Sequence, residues 1–112
     1  MLAILMGLKT ISPKQLHARL PQGALTVIDV NSRQSWLAAR VPGAIHLGQD
    51  YDAGALPQAL EHCLVFYCAN PLCRKAPNAA KRARQLGHTD VLVMAAGIVG
   101  WTRAGLPLEH GT

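Results

Sequence analysis

Short apolar runs alternate along this chain with segments that carry helix-start and helix-stop signals, and that alternation constrains the fold more than any other feature. Leu25 to Val30 and Val91 to Met94 are β-branched or aliphatic runs of the kind that fill buried parallel strands. Cys63 to Cys68 is the most strand-like run, and Ala44 to Leu47 is a further candidate. Between these lie the helices. Ser12 and Pro13 read as the N-cap and first residue of one, with Leu16 and Leu20 on a common face and Pro21-Gln22-Gly23 as its stop. Ser32 caps a second helix through about Arg40, broken by Val41-Pro42-Gly43. Gly48 to Gly54 reads as a loop, and Ala55 to His62 as a short helix. Ala76, Ala79, Ala80, Ala83 and Leu86 share a helical spacing, with Pro77 in the first turn and Gly87 at the stop. Gly97 to Gly105 reads as a turn holding a short helix around Trp101.

Strands and helices in alternation define an α/β class. The expectation is a mostly parallel central sheet of about five strands, with helices on both faces and right-handed crossovers. At 112 residues the chain makes one domain, residues 1–112. Residues 1–8 form an apolar lead-in: a strand, or a segment that packs on a partner and would suit a homo-oligomer contact. That segment lacks a basic start and a small-residue cleavage site, and it is far short of the roughly 20 residues of a membrane span. Half the residues are apolar but only five are Phe, Trp or Tyr, so the core must be built from Leu, Val, Ile and Ala.

The net charge of +5 draws anions without saying which. Nucleic acid is not expected, because the basic residues cluster beside a cysteine loop without interleaved aromatics for base stacking. Three cysteines, at 63, 68 and 73, make no disulfide framework, which points to a reducing, cytoplasmic compartment. Neither they nor the five histidines show metal-ligand spacing, so no metal is expected.

Cys68 closes the strand-like run immediately before a helix, and parallel sheets bind ligands at the carboxyl ends of their strands. A helix N-terminus and nearby cations lower a thiol's pKa. Both are on offer here: Arg74 and Lys75 lie in the following loop, and Lys81, Arg82 and Arg84 on the helix. Loop amides turned inward would form an anion-binding nest. The competing reading is a buried strand-end cysteine beside a solvated basic face, since cysteine often serves as a small hydrophobe. Residue types alone leave the two open.

From about Thr10 to Leu108 the chain resembles the rhodanese-like family. The first half of the resemblance is Val27-Ile28-Asp29-Val30, then Trp36, then Val41-Pro42-Gly43-Ala44-Ile45-His46-Leu47. The second half is Leu64-Val65-Phe66-Tyr67-Cys68, the Ala-rich helix, Ala96-Gly97-Ile98-Val99-Gly100-Trp101 and Ala104-Gly105-Leu106-Pro107. The resemblance implies a sulfurtransferase that needs no organic cofactor. Cys68 would take sulfane sulfur from a small anionic donor such as thiosulfate and pass it, as a persulfide, to a thiol or cyanide acceptor. Ala69, Asn70, Leu72, Cys73, Arg74 and Lys75 are the candidate substrate-binding residues. Asp29 would be architectural and Trp101 a packing residue.

The chain departs from the family pattern in two places. Asp29-Val30-Asn31 stands where Asp-Val-Arg is usual, with Arg33 the nearest replacement. The loop reads Cys-x5-Arg, from Cys68 to Arg74, instead of Cys-x4-Arg; it has no glycine, and Pro71 offers no amide hydrogen. The wider spacing also resembles rhodanese-fold phosphatases and arsenate reductases, whose arginine clamps an oxyanion. Against that class, Tyr67 rather than histidine precedes the cysteine, and the loop carries no carboxylate. A third class is a redox sensor or persulfide carrier that uses Cys68 and Cys73 reversibly.

Overall fold

The computed structural model describes residues 7–112. Its elements, in chain order, are β1 (Lys9–Thr10), α1 (Pro13–Arg19), β2 (Leu25–Asp29), α2 (Arg33–Ala38), β3 (Ile45–His46), β4 (Cys63–Tyr67), α3 (Lys75–Gln85), β5 (Val91–Val93) and α4 (Gly97–Arg103). Single 3-10 turns occupy Leu20–Gln22 and Ala53–Ala55. The five strands of the described residues pair in parallel, in the order β1-β5-β4-β2-β3. The α/β architecture with a parallel central sheet is therefore the one expected. Among the described residues no helix is long and apolar enough to cross a membrane.

Strand β4 is central and buried along its whole length. Its side chains alternate between two cores, as strand geometry requires. Leu64, Phe66 and Cys68 join one core with Ile28, Val30 and Val93, under the alanines of α3. Cys63, Val65 and Tyr67 join the other with Leu16 of α1, Val41, Ala44 and Trp101 of α4. Ala76, Ala79, Ala80 and Ala83 bring no bulk, so the backbone of α3 can lie close to the sheet. Leu16 is fully buried, and its truncation to alanine would cost about 2–5 kcal/mol.

Local signals act as read. Ser12 accepts the Gln15 N–H at 3.1 Å while the Gln15 side chain accepts the Ser12 N–H at 3.0 Å, a complete capping box. Trp101 is buried, and its indole N–H donates to Pro107 O at 2.7 Å, which makes it a packing residue.

Two expectations need correction, and a third is not tested. Ala55 to His62 is not a helix: only the 3-10 turn at Ala53–Ala55 forms, followed by bends and turns, and the backbone bonds outward instead, Leu60 O accepting the Thr89 N–H at 2.9 Å. Helix α2 stops at Ala38 rather than near Arg40. Arg40 instead pairs with Glu109, backbone to backbone, and its guanidinium bonds the Glu109 carboxylate at 2.9 Å above the Trp36 ring. The segment expected as an apolar lead-in, residues 1–8, lies outside the described residues except for Gly7 and buried Leu8; the first strand among the described residues is Lys9–Thr10.

Candidate active site

Cys68 follows β4 at the carboxyl end of the sheet. The strands beside it reach a similar level: Asp29 pairs with Tyr67, and Val93 with Phe66. Cys68 is 3% exposed and packs in the core beneath α3. Its sulfur still faces the helix start, accepting the Ala76 N–H at 3.4 Å. That amide lies in the first turn of α3, where backbone donors have no partner inside the helix. The positive end of an eleven-residue helix thus points at this sulfur.

The second contact of Cys68 is Cys73, with which it forms a disulfide across a Cα–Cα distance of 6.4 Å. The separation lies within the range disulfides require. The low cysteine count argued against a disulfide framework, and this bridge is not one: it joins cysteines five positions apart and ties no distant elements together. Asn70 shapes the turn. Its side-chain oxygen accepts the Leu72 N–H at 2.9 Å and its carbonyl accepts the Cys73 N–H at 3.1 Å. Those two amides are therefore occupied within the loop. Among the described residues, Ala76 is the one backbone donor within hydrogen-bond distance of Cys68 Sγ.

The other candidate residues are spread around this turn. Ala69 and Cys73 are half-buried; Asn70, Arg74 and Lys75 are exposed; Leu72 is 85% exposed and points its side chain into solvent. Arg74 occupies the N-cap position of α3 without capping it, and Lys75 is the first helical residue. The Arg33 guanidinium lies over the Trp36 ring at 5.7 Å. The cavity against Cys68, bounded in part by Asn70, Pro71, Cys73, Ala76 and Met94, measures about 10 Å³. That is scarcely room for one water.

The loop rests on α4, a support that the sequence reading does not assign. Ile98 N–H donates to Cys68 O at 2.9 Å, and Val99 N–H to Ala69 O at 3.1 Å. Gly97 has φ +69°, and a Cβ built there would fall 2.5 Å from the Ala69 carbonyl carbon. Only glycine lets the loop backbone approach this closely. The available signal was a glycine directly before an apolar helical stretch, which reads equally well as a plain turn.

On the opposite face of β4, Tyr67 and Asp29 build a buried polar network. The Tyr67 hydroxyl donates to Asp29 Oδ2 at 2.6 Å and accepts the Val41 N–H at 3.1 Å; Asp29 Oδ1 accepts the Asn31 N–H at 2.8 Å. Burial pushes the Asp29 carboxyl above its ordinary value, against the opposing pull of its hydrogen bonds. Burial, and then the neighbouring Asp29 charge, pushes the Tyr67 hydroxyl far above its ordinary value. His46 Nε2 lies 2.7 Å from Asn31 O, so that nitrogen carries its hydrogen. The network joins β2, β4 and the Val41–Ala44 segment, and it does not touch Cys68. Asp29 is architectural on this geometry.

The fold and a strand-end cysteine facing a helix start define a class, and comparison with known proteins gives the family. The model of the rhodanese-like domain matches residues 12–104, and the chain belongs to that family. It is 31% identical over 102 residues to an HTH-type transcriptional regulator of Mycobacterium tuberculosis, covering 90% of this chain and 45% of that protein. The chain thus spans about half the length of that relative. It is 28% identical to the thiosulfate sulfurtransferase GlpE of Actinobacillus succinogenes, covering 93% of each chain. It is 26% identical to the human thiosulfate:glutathione sulfurtransferase, covering 85% of this chain and 94% of that protein. Among solved structures, a Bacillus halodurans protein superposes with a TM-score of 0.82 at 23% identity, over 91% of this chain and 77% of its own, a likeness of fold.

Proposed function

We propose that this protein is a sulfurtransferase that moves sulfane sulfur from a small anionic donor to a thiol through a Cys68 persulfide. The observation that carries the reading is the Ala76 N–H directed at Cys68 Sγ from the first turn of α3. A hydrogen bond to the thiolate and the helix dipole both favour the ionised nucleophile.

The cycle begins with the Cys68–Cys73 pair reduced. The Cys68 thiolate attacks the outer sulfur of thiosulfate, the sulfur–sulfur bond breaks, and sulfite leaves. An acceptor thiolate then takes the outer sulfur from Cys68 and regenerates the thiolate. Exposed Arg74 and Lys75 at the head of α3 draw the donor and offset the charge of departing sulfite. Relatives that this chain covers nearly end to end support thiosulfate as donor and a glutathione-type thiol as acceptor. A reducing compartment such as the cytoplasm suits a site that must present a free thiol.

The test is mass spectrometry of the reduced protein after incubation with thiosulfate. Gain of one sulfur by Cys73→Ser, with none gained by Cys68→Ser, supports the reading; the reverse pattern transfers the role to Cys73. The Cys-x5-Arg spacing supports oxyanion chemistry as a second reading. No sulfur uptake, together with hydrolysis of an aryl phosphate, would decide for it.

A further inference from the structure

The sulfur loop carries a second thiol that a single-cysteine transfer cycle does not use. Cys73 stands on the outer side of Cys68, is the less buried of the two, and is already bonded to it. The cavity left beside the pair is about 10 Å³, so Cys73 Sγ and the outer sulfur of a Cys68 persulfide compete for one place. The turn that presents Cys73 is held by Asn70 through two hydrogen bonds, to the Leu72 and Cys73 amides. Those bonds lie wholly within the loop and favour the conformation that returns Cys73 to Cys68.

We infer that Cys73 is a catalytic residue that discharges the Cys68 persulfide, making this domain one that releases its cargo as sulfide and then rests as a disulfide. The inference depends on the sulfurtransferase reading above. When the persulfide forms, Cys73 is displaced. On its return, the Cys73 thiolate attacks Cys68 Sγ, the inner sulfur. The bond from Sγ to the outer sulfur breaks, the Sγ–Sγ bond forms, and the outer sulfur leaves as hydrosulfide with the electron pair of the broken bond. Written with protons, the Cys68 persulfide and the Cys73 thiol become the Cys68–Cys73 disulfide and one molecule of hydrogen sulfide. The sulfane sulfur is reduced to sulfide, and the two cysteine sulfurs together supply its two electrons. The inner sulfur, Cys68 Sγ, is the atom that accepts the Ala76 N–H, so it can keep that bond while the outer sulfur leaves. A second turnover needs a thiol reductant, either one dithiol or two monothiols, which attacks the accessible Cys73 sulfur and frees Cys68 as the leaving thiolate. Cys63 cannot act in this way, because it lies at the other end of β4 and in the opposite core.

The experiment uses the full chain, reduced and then freed of reductant, with thiosulfate and no acceptor. Sulfide is trapped with a bimane reagent, and thiols are mapped by alkylation and peptide mass. Wild type should release one sulfide per chain, stop, and show an intramolecular Cys68–Cys73 disulfide; adding a dithiol should restart release. Cys73→Ser and Cys73→Ala should take up one sulfur on Cys68, hold it, and lose the sulfide burst. Cys63→Ala should behave as wild type. A wild-type chain that keeps its persulfide while Cys73 stays alkylatable overturns the role of Cys73 and leaves the transferase reading standing. A disulfide formed only between chains also overturns it. Failure of sulfur uptake in wild type and in both Cys73 variants brings down the transferase reading itself, and the Cys73 role with it.

Discussion

Cys63 opens strand β4 and Cys68 directly follows it, each 3% exposed, yet their surroundings assign them different chemistry. Five residues apart, they fall on opposite faces of the sheet. Cys63 is at the amino end. Burial, and then the Asp90 carboxylate, raise its pKa, against the opposing pull of Arg19. Cys68 is at the carboxyl end, where an unpaired helical amide and a second thiol converge on it. Exposure therefore does not tell a reactive cysteine from an inert one. What differs is the direction of the nearest dipoles, and parallel strands point their carboxyl ends toward the starts of the helices that follow.

The largest effect should come from moving the chemistry off the carboxyl end. Cys68→Ser should reduce sulfur uptake from thiosulfate to background, because a serine hydroxyl is scarcely ionised at neutral pH. Mass spectrometry of the intact chain in a Cys73→Ser background, which holds the sulfur, reads this directly. An adduct that survives in Cys68→Ser but vanishes in a Cys63 variant would invert the comparison.

Next in size is the platform under the loop. Gly97→Ala places a methyl group 2.5 Å from the Ala69 carbonyl carbon, at a φ that alanine resists. The loop must shift, and small displacements of a reacting group cost up to about 100-fold in rate. The expected result is a roughly 10- to 100-fold loss in kcat/KM for sulfur transfer with the fold retained, checked by steady-state kinetics beside circular dichroism. An unchanged rate would show that α4 does not position the loop.

These two residues also mark how far the sequence could be read. Strand β4 and helix α3 were legible because each carries its own pattern: near-continuous burial in one, alanines at helical spacing in the other. Cys68 was legible because it ends the first and precedes the second. Gly97 was not, because its role is a contact with Ala69 across the loop, and no local pattern records that. The Cys68–Cys73 pairing was readable only as one option among several, since it depends on a turn that Asn70 closes with its own side chain. Strand β1 escaped detection as Lys9–Thr10 because it has two exposed residues and no alternation; it pairs through its backbone with β5. The absence of a helix over Ala55 to His62 was not legible either: its Leu60 carbonyl accepts the Thr89 N–H from a distant segment, a contact that composition does not record.

A smaller effect should follow from the back face of β4. Tyr67→Phe removes the donor to Asp29 and the acceptor for the Val41 N–H, leaving buried polar groups unpaired. The loss should be about 1–3 kcal/mol in denaturant unfolding, with sulfur uptake retained, because the hydroxyl lies on the face away from Cys68. The network also gives a pH signature. A tyrosine whose folded pKa is raised contributes stability that is fully present below its unfolded value and lost as pH rises toward the folded one. Tyr51, in the other core, where its hydroxyl donates to Ala79 O at 2.8 Å, is pushed by burial from 10.0 to about 12, which sets a window of pH 10 to about 12, and Tyr67 adds a loss of the same sign. Wild type should therefore weaken on the alkaline side of pH 10, and Tyr67→Phe should weaken less steeply there.

The smallest effect belongs to the amino end of the strand. Cys63→Ala removes one buried sulfur and its 3.6 Å contact with the Arg19 guanidinium. The cost should be about 1–2 kcal/mol of stability. Sulfur uptake and sulfide release should stay within about twofold of wild type, since no group at the sulfur loop contacts residue 63 and a twofold change is under about 1 kcal/mol. Alkylation of the reduced native chain gives the sharper readout. Cys73 should react first, Cys68 more slowly, and Cys63 only on unfolding, because its thiol is both covered and held protonated by burial and Asp90. Raising the pH alone should not expose it while the fold holds. Rapid native labelling of Cys63 would show that burial does not protect the amino end, and the contrast between the two ends of β4 would then rest on the helix start alone.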